Sequence, residues 1–370
     1  MHSFAPNIFI VHRFKYSSIY FTFYTHIYIH IYYQHKYKEH IIIIKKMAAV
    51  TVMADTVDIR YLKNKYKDYN GERVTYTAET RKFITDAFTV TLNDGRKEPK
   101  FINEDDKDLL RKHGFVKISN FLSKVHDDLP LIQNPMVYRT DKTIPETEAS
   151  IKTRSVYFRE CEELVKRLTG ADEAHFVTHA VRSDKTQQVG GEARSKATKA
   201  VEYLTAYATF AHTDFTDEIL PGAFKMLTKR GVSVERAKQM DYAFFNIWQP
   251  TNFPVETAPL ALLDWTSMDI KDVHKVSLGY NVTPKGGKPQ ETYAPPIAQP
   301  TYSKKHRWYY YPNLQLHECL VFTQIDGRPG YPTHSFHTAV KHQLIDNPRP
   351  RSNVETRILC GFLKAPTSKL

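Results

Sequence analysis

The second half of the chain is built from short runs that alternate apolar and polar residues with a period of two, punctuated by Pro, Gly and Asn. Tyr242-Ala243-Phe244-Phe245-Asn246-Ile247-Trp248 is closed by Pro250 and Pro254. Leu260 to Trp265, Arg307 to Tyr311, Glu318 to Phe322 and Val354 to Leu359 repeat the pattern. Alternation rich in aromatic and β-branched residues predicts strands whose successive side chains face opposite ways. Val74 to Thr77, Phe88 to Thr91, Phe115 to Ile118 and Phe176 to Arg182 are earlier, shorter examples. Helical spacing is confined to three places. Asn103 to Asp106 opens a capped helix through Leu109 and Leu110 that Gly114 stops, and Val156, Tyr157, Leu164, Val165 and Leu168 mark a second over Thr153 to Leu168, closed by Gly170. Phe224 to Met240 reads as a Lys/Arg-rich surface helix. The stretches 185–199 and 283–301, polar or rich in Pro, Gly and Lys, read as mobile loops. No internal repeat is present. Many short strands with helices set mostly to their N-terminal side predict a mainly β (α+β) domain, a sandwich or barrel carrying a helical layer.

Composition narrows this picture. A chain of 370 residues, 41% hydrophobic and 25% charged, can bury a large core. Cys161, Cys319 and Cys360 are far apart and form no CxxC pair, which argues against a disulfide framework or thiolate zinc site and for the reducing cytoplasm. The net charge of +12 overstates the basic character of the domain: residues 1–46 hold six Lys/Arg and one Glu, leaving 46 basic against 39 acidic residues, or +7. That excess is spread out, with no basic-aromatic stripe, so nucleic acid is not an expected partner; attraction of an anionic small molecule is the functional version of the same charge. The segment 16–46 is dominated by Ile, Tyr and His and is interrupted too often for a membrane span. It also lacks the form of a secretory signal. It reads as a low-complexity leader outside the fold, with Met47 as an alternative start and a membrane anchor or organelle-targeting peptide as the other reading. The domain proper is then 47–370, with a β core over about 170–365.

One motif carries chemistry. In Ala211-His212-Thr213-Asp214-Phe215-Thr216, His212 and Asp214 are two apart, so on a strand imidazole and carboxylate share a face. Two His and one carboxylate form the facial set that leaves positions open on Fe(II). A third ligand must come from elsewhere, and His334, His337 and His342 cluster late in the chain.

Further motifs in fixed order give a resemblance. Thr178-His179-Ala180-Val181-Arg182, the His212 motif, Asn246-Ile247-Trp248-Gln249-Pro250, Pro259 to Asp264, Arg307 to Pro312, Phe336-His337-Thr338-Ala339-Val340 and Arg351 to Arg357 together resemble the gibberellin desaturase / cephamycin hydroxylase / AsaB-like group of Fe(II)/2-oxoglutarate-dependent oxygenases. The likeness spans about 100–365. It implies a double-stranded β-helix (jelly-roll), with His212, Asp214 and His337 as Fe(II) ligands, 2-oxoglutarate and O2 as co-substrates and ascorbate as a stimulant. It implies hydroxylation, desaturation or oxidative cyclisation of a small molecule in specialised metabolism through a ferryl intermediate, releasing succinate and CO2. Arg351, with Asn353 where the family has Ser, is the implied anchor of the 2-oxoglutarate tail, since a guanidinium binds carboxylate in bidentate fashion. Arg357 is the alternative anchor, and Arg182 could orient either 2-oxoglutarate or a substrate acid. Asn246 and Trp248 share a face, as do Tyr309 and Tyr311, either as core or as pocket wall; Gln249 stands where the family has Arg. His179 reads as a packed histidine. Two other classes stay open: a zinc hydrolase or lyase on the same ligands, and a non-catalytic jelly-roll binding module. Substrate and oligomeric state have no signature in the sequence.

Overall fold

A computed structural model describes residues 55–66, 74–76, 84–135, 145–183, 207–282, 290–293 and 295–364. The leader, its boundary at Met47 and the loop 185–199 lie outside these residues. In chain order the strands are β1 (Asp55–Leu62), β2 (Val74–Tyr76), β3 (Thr85–Asp94), β4 (Phe115–Ile118), β5 (Glu173–Ser183), β6 (Met240–Pro250) and β7 (Leu260–Leu263). They continue as β8 (Val273–Val282), β9 (Gln290–Tyr293), β10 (Ile297–Pro300), β11 (Trp308–Tyr310), β12 (Cys319–Asp326), β13 (His337–Ala339) and β14 (Ser352–Leu363). One five-stranded sheet runs β4-β12-β6-β14-β5; a second runs β1-β3-β11-β7-β13; the third is β10-β8-β2, with β9 paired to β8. The result is the curled, jelly-roll type of sheet with flanking helices.

The first sheet shows why the two-residue period matters. Along β6, Ala243, Phe245 and Ile247 face outward with Val354, Ile358 and Cys360 of β14. A long helix, α3 (Glu148–Thr169), covers that face with Tyr157, Phe158, Cys161, Leu164, Val165 and Leu168. Its start is fixed by the Thr147 side chain, which accepts from the Ser150 N–H. Its end is fixed by Gly170 at φ 68°, the left-handed conformation glycine adopts without penalty. Two shorter helices, α1 (Pro99–Asn103) and α2 (Asp106–His113), precede β4, and Leu109 and Leu110 of α2 join the same layer. The opposite face of the sheet carries Trp248, Leu320 and Phe322, which meet Leu260 and Leu262 of β7 and Tyr309 of β11 in the interior. All three cysteines are buried and free.

Two expectations need correction. The single helix over Phe224 to Met240 is two pieces, α4 (Leu220–Thr228) and α5 (Val234–Lys238), because Gly231 turns the chain at φ 94°. Within 283–301, read as one mobile loop, residues 290–293 and 297–300 form β9 and β10, both hydrogen-bonded to β8. β9 and β10 pair antiparallel with successive halves of β8, and these ladder hydrogen bonds supply the order that local propensity does not. Among the described residues no helix is long and apolar enough to cross a membrane.

Candidate metal centre

His212 and His337 are 125 positions apart, yet a single antiparallel bridge sets them opposite each other: His212 N–H donates to His337 O at 3.2 Å and His337 N–H to His212 O at 3.0 Å. Their rings follow, with centroids 4.5 Å apart. His337 is held on β13, which pairs with β7 in the register His337↔Leu262. His212 lies on this isolated bridge rather than on the regular strand expected, and Asp214 sits at a bend just past it. The carboxylate still turns to the same side, Asp214 Oδ1 being 3.8 Å from His212 Nε2. One atom from each of the three residues can be chosen within 4.8 Å of the others, the only such group of metal-binding side chains among the described residues.

The hydrogen bonds prepare these atoms. His212 Nδ1 faces the carbonyl of Phe210 at 2.9 Å, and His337 Nδ1 that of Ser335 at 3.4 Å. A carbonyl can only accept, so each Nδ1 carries the proton and each Nε2 presents a lone pair, the tautomer a metal ligand needs. Burial pushes the His212 imidazole down to about 3, helped by His337, and burial pushes His337 down to about 4. Both rings are therefore neutral at physiological pH. Burial alone would raise Asp214; the Arg357 guanidinium and the two histidines overcome it and hold the carboxyl well below its usual range.

Arg357 donates from Nε (3.0 Å) and Nη2 (2.8 Å) to Asp214 Oδ2, and Asn246 Nδ2 donates to the same oxygen at 3.0 Å. Asn246 also donates to Glu355, whose carboxylate lies 3.2 Å from Arg357 and 3.8 Å from Arg182. Burial raises the Glu355 carboxyl, with Arg357 opposing. On the far side of Asp214, its N–H donates to Gln324 Oε1 at 2.7 Å. Gln324 reaches there because it is the extra residue of a bulge in β12: Thr323 pairs Phe245 and Ile325 pairs Phe244.

Beside the triad is a small cavity, about 20 Å³, lined by Arg182, Trp248, Leu260, Ala339, Arg351 and Glu355 together with His212 and His337. Arg351 is buried, its guanidinium 3.8 Å over the Tyr207 ring and 5.2 Å from that of Trp248. It donates one N–H to the Ala258 carbonyl, while Nε has no partner. Burial lowers its pKa to about 10, still charged at neutral pH. Asn353, fully buried, leaves both amide atoms unpartnered. Arg357, the alternative anchor, does not line this cavity and is committed to Asp214 and Glu355. Trp248 is both core and cavity wall, whereas Tyr309 and Tyr311 belong to the interior cluster. The other histidines lie elsewhere: His179 bonds the Gln133 carbonyl, His334 stacks on Phe336, and His342 faces Asp55 at 3.6 Å.

Glu355 and Gln324 were not marked in the sequence. For Glu355 a signal existed, since Asn353, Glu355 and Arg357 occupy alternate positions of β14, two and more residues past Arg351, and alternate positions share a face. For Gln324 there was none, because a bulge has no local pattern.

Comparison with known proteins agrees with this geometry. The chain is similar to the oxidoreductase clz16 of Cochliobolus lunatus, 27% identical over 232 residues, 60% of this chain and 73% of that protein. It is also similar to the Fe(II)/2-oxoglutarate-dependent dioxygenase nvfI of Aspergillus novofumigatus, 28% identical over 210 residues, 55% of this chain and 65% of that protein. The solved iron and alpha-ketoglutarate-dependent endoperoxidase NvfI shares the fold at a TM-score of 0.57 and 20% identity, covering 84% of this chain and 98% of that one. Fold and site together define a jelly-roll type of protein whose His212, Asp214 and His337 are placed to hold a metal ion. More particularly, a family profile matches residues 59–361, and the chain belongs to that family, described as Oxidoreductase/YMDC permease-like domain.

Proposed function

We propose that this protein is an Fe(II)/2-oxoglutarate-dependent oxygenase of specialised metabolism, of the gibberellin desaturase / cephamycin hydroxylase / AsaB-like kind, acting on a small molecule by hydroxylation, desaturation or oxidative cyclisation. The observation that carries the reading is a buried guanidinium with an unpartnered N–H in the same small cavity as two histidines whose Nε2 lone pairs are presented. A buried donor without an acceptor is costly, and a carboxylate is the complement of an arginine fork. His212, Asp214 and His337 would hold Fe(II) through Nε2, Oδ1 and Nε2. Arg351 would bind the distal carboxylate of 2-oxoglutarate, with Asn353 offering a further donor nearby. Bound together, Fe(II), 2-oxoglutarate and O2 supply the oxidising chemistry, with succinate and CO2 as by-products. The chain contributes position and dryness: Trp248, Leu260 and Ala339 wall the cavity against water, and Arg182 at its edge would orient an acidic group of the substrate.

Names of related proteins support this, among them the hydroxylase/desaturase CTB9 of Cercospora beticola and the alpha-ketoglutarate-dependent dioxygenase phiK of a fungal species. A zinc hydrolase could use the same triad, but it gives no role to Arg351. The test is succinate formation from 2-oxoglutarate with Fe(II) and ascorbate, run against a panel of small organic acids and terpenoids. Turnover that requires Fe(II), is not restored by Zn(II), and disappears in His212→Ala is expected. Turnover supported by Zn(II), or unchanged in His212→Ala, would exclude the assignment.

A further inference from the structure

We infer that Arg357, Asn246 and Gln324 form a positioning clamp that restricts Asp214 to ligation through one oxygen, and that Glu355 holds Arg357 and Asn246 in place for it. The inference rests on the functional reading above for the identity of the ligands, but its evidence is separate. Three N–H donors converge on the single oxygen Oδ2 of Asp214: Arg357 Nε at 3.0 Å, Arg357 Nη2 at 2.8 Å and Asn246 Nδ2 at 3.0 Å. An oxygen that already accepts three hydrogen bonds has no lone pair left to share with a cation. Oδ1, on the histidine side, retains its own. The backbone N–H of the same residue donates to Gln324 Oε1 at 2.7 Å, so Asp214 is held at main chain and side chain alike.

Each part of the clamp comes from a different strand of one sheet. Asn246 lies on β6, Gln324 on β12 and Arg357 on β14, in ladder register Phe322↔Asn246 and Arg357↔Asn246. Asp214 itself belongs to none of them, so without the clamp only its neighbours in a bend orient it. Arg357 sits with 8% of its surface exposed, where a lone guanidinium would be costly. Glu355, two positions along the same strand and 3.2 Å away, accepts from Arg357 Nη2, and Asn246 donates to both acids. A carboxylate confined to one oxygen keeps three places open on a six-coordinate metal; one that swings to two oxygens closes one of them.

The experiment is metal binding by the purified full chain, read without turnover: Fe(II) affinity by titration, and Co(II) substitution followed by visible absorption, whose bands respond to which oxygens occupy the metal's positions. Arg357→Met, Arg357→Lys and Gln324→Leu are compared with the parent. Arg357→Met is expected to weaken metal binding roughly ten- to a hundredfold, the range for residues that orient metal ligands, with altered Co(II) bands. Arg357→Lys, which keeps charge but loses the fork, should fall between, and Gln324→Leu should show the same spectral change to a lesser degree. Should Arg357→Met fail to fold, the double variant Arg357→Met/Glu355→Gln preserves the charge balance and takes its place. Affinity and Co(II) spectrum unchanged within twofold in a folded Arg357 variant would overturn the clamp and leave the oxygenase reading intact. Absence of Fe(II) and Co(II) binding in the parent protein would instead overturn the reading on which the clamp depends.

Discussion

Asp214 and Asp264 are both acids pulled inside a β-rich core, each ringed by cations and hydrogen-bond donors, yet the donors are distributed differently. Asp264, just after β7, is satisfied on both oxygens. Oδ1 meets His113 Nδ1 (2.9 Å) and the Thr266 N–H (3.0 Å) and hydroxyl (2.8 Å), and Oδ2 meets Lys100 Nζ (3.0 Å) and Arg307 Nη2 (3.4 Å). Burial would raise this carboxyl, but His113, Thr266 and Lys100 hold it below the carboxylate range. At Asp214 the strong donors all fall on Oδ2. The number of hydrogen bonds, five against three, matters less than where they fall. A carboxylate saturated on both sides ties α1, α2 and β11 to the sheet, whereas one saturated on a single side has a free edge for chemistry.

The sharpest way to break this contrast is to neutralise each acid in turn. Asp214→Asn should reduce Fe(II)-dependent succinate formation to background, while Asp264→Asn should leave Fe(II) affinity unchanged; loss of metal binding in both would show that the distribution of donors carries no meaning. Next, Arg351→Ala should raise KM for 2-oxoglutarate about a hundredfold, near 3 kcal/mol, as expected for removing one side of a buried charge-assisted contact. A change confined to kcat, with KM untouched, would move the anchor to another residue. Third, Asp264→Asn should cost about 2 kcal/mol of stability, the scale of a lost hydrogen bond to a charged group, measured by urea unfolding; a cost below a few tenths would make the cluster ornamental.

The smallest effect concerns pH. Burial lowers His179 to about 4, so the folded state keeps it neutral where the unfolded chain, near its ordinary 6.5, takes up a proton. Stability from this group is present above that ordinary value and is eroded as pH falls toward about 4. Between pH 7 and 6 the loss is roughly 0.7 kcal/mol per such histidine. In the metal-free protein His212 and His337 add to it. His179→Gln should make the decline shallower without altering metal affinity; an unchanged slope would mean that His179 titrates alike in the folded and unfolded chain.

How much of this could be read from the chain depends on the range of the interaction. Strands β6, β12 and β14 were legible because alternation is local and each is buried on both faces. Helix α3 was legible from its apolar stripe and Gly170. His212 and Asp214 stood out because two positions of spacing already imply a shared side. What escaped was set by contacts between distant segments. The partners of Asp264 lie more than forty to over a hundred and fifty positions away, apart from Thr266. Arg357 looked like an alternative co-substrate anchor because its motif position says nothing about which acid it meets. The segment 290–300 looked like a loop because its own residues favour turns, and only pairing with β8 makes it a sheet edge.

The extra residue in β12 has a consequence for anyone who would engineer this protein. Deleting Gln324 would let Thr323 and Ile325 follow one another against Phe245 and Phe244, giving an uninterrupted ladder. By the criteria of an idealised backbone, that is an improvement. It would also remove the amide that secures the Asp214 backbone, so a more regular protein would hold Asp214 less firmly beside His212 and His337.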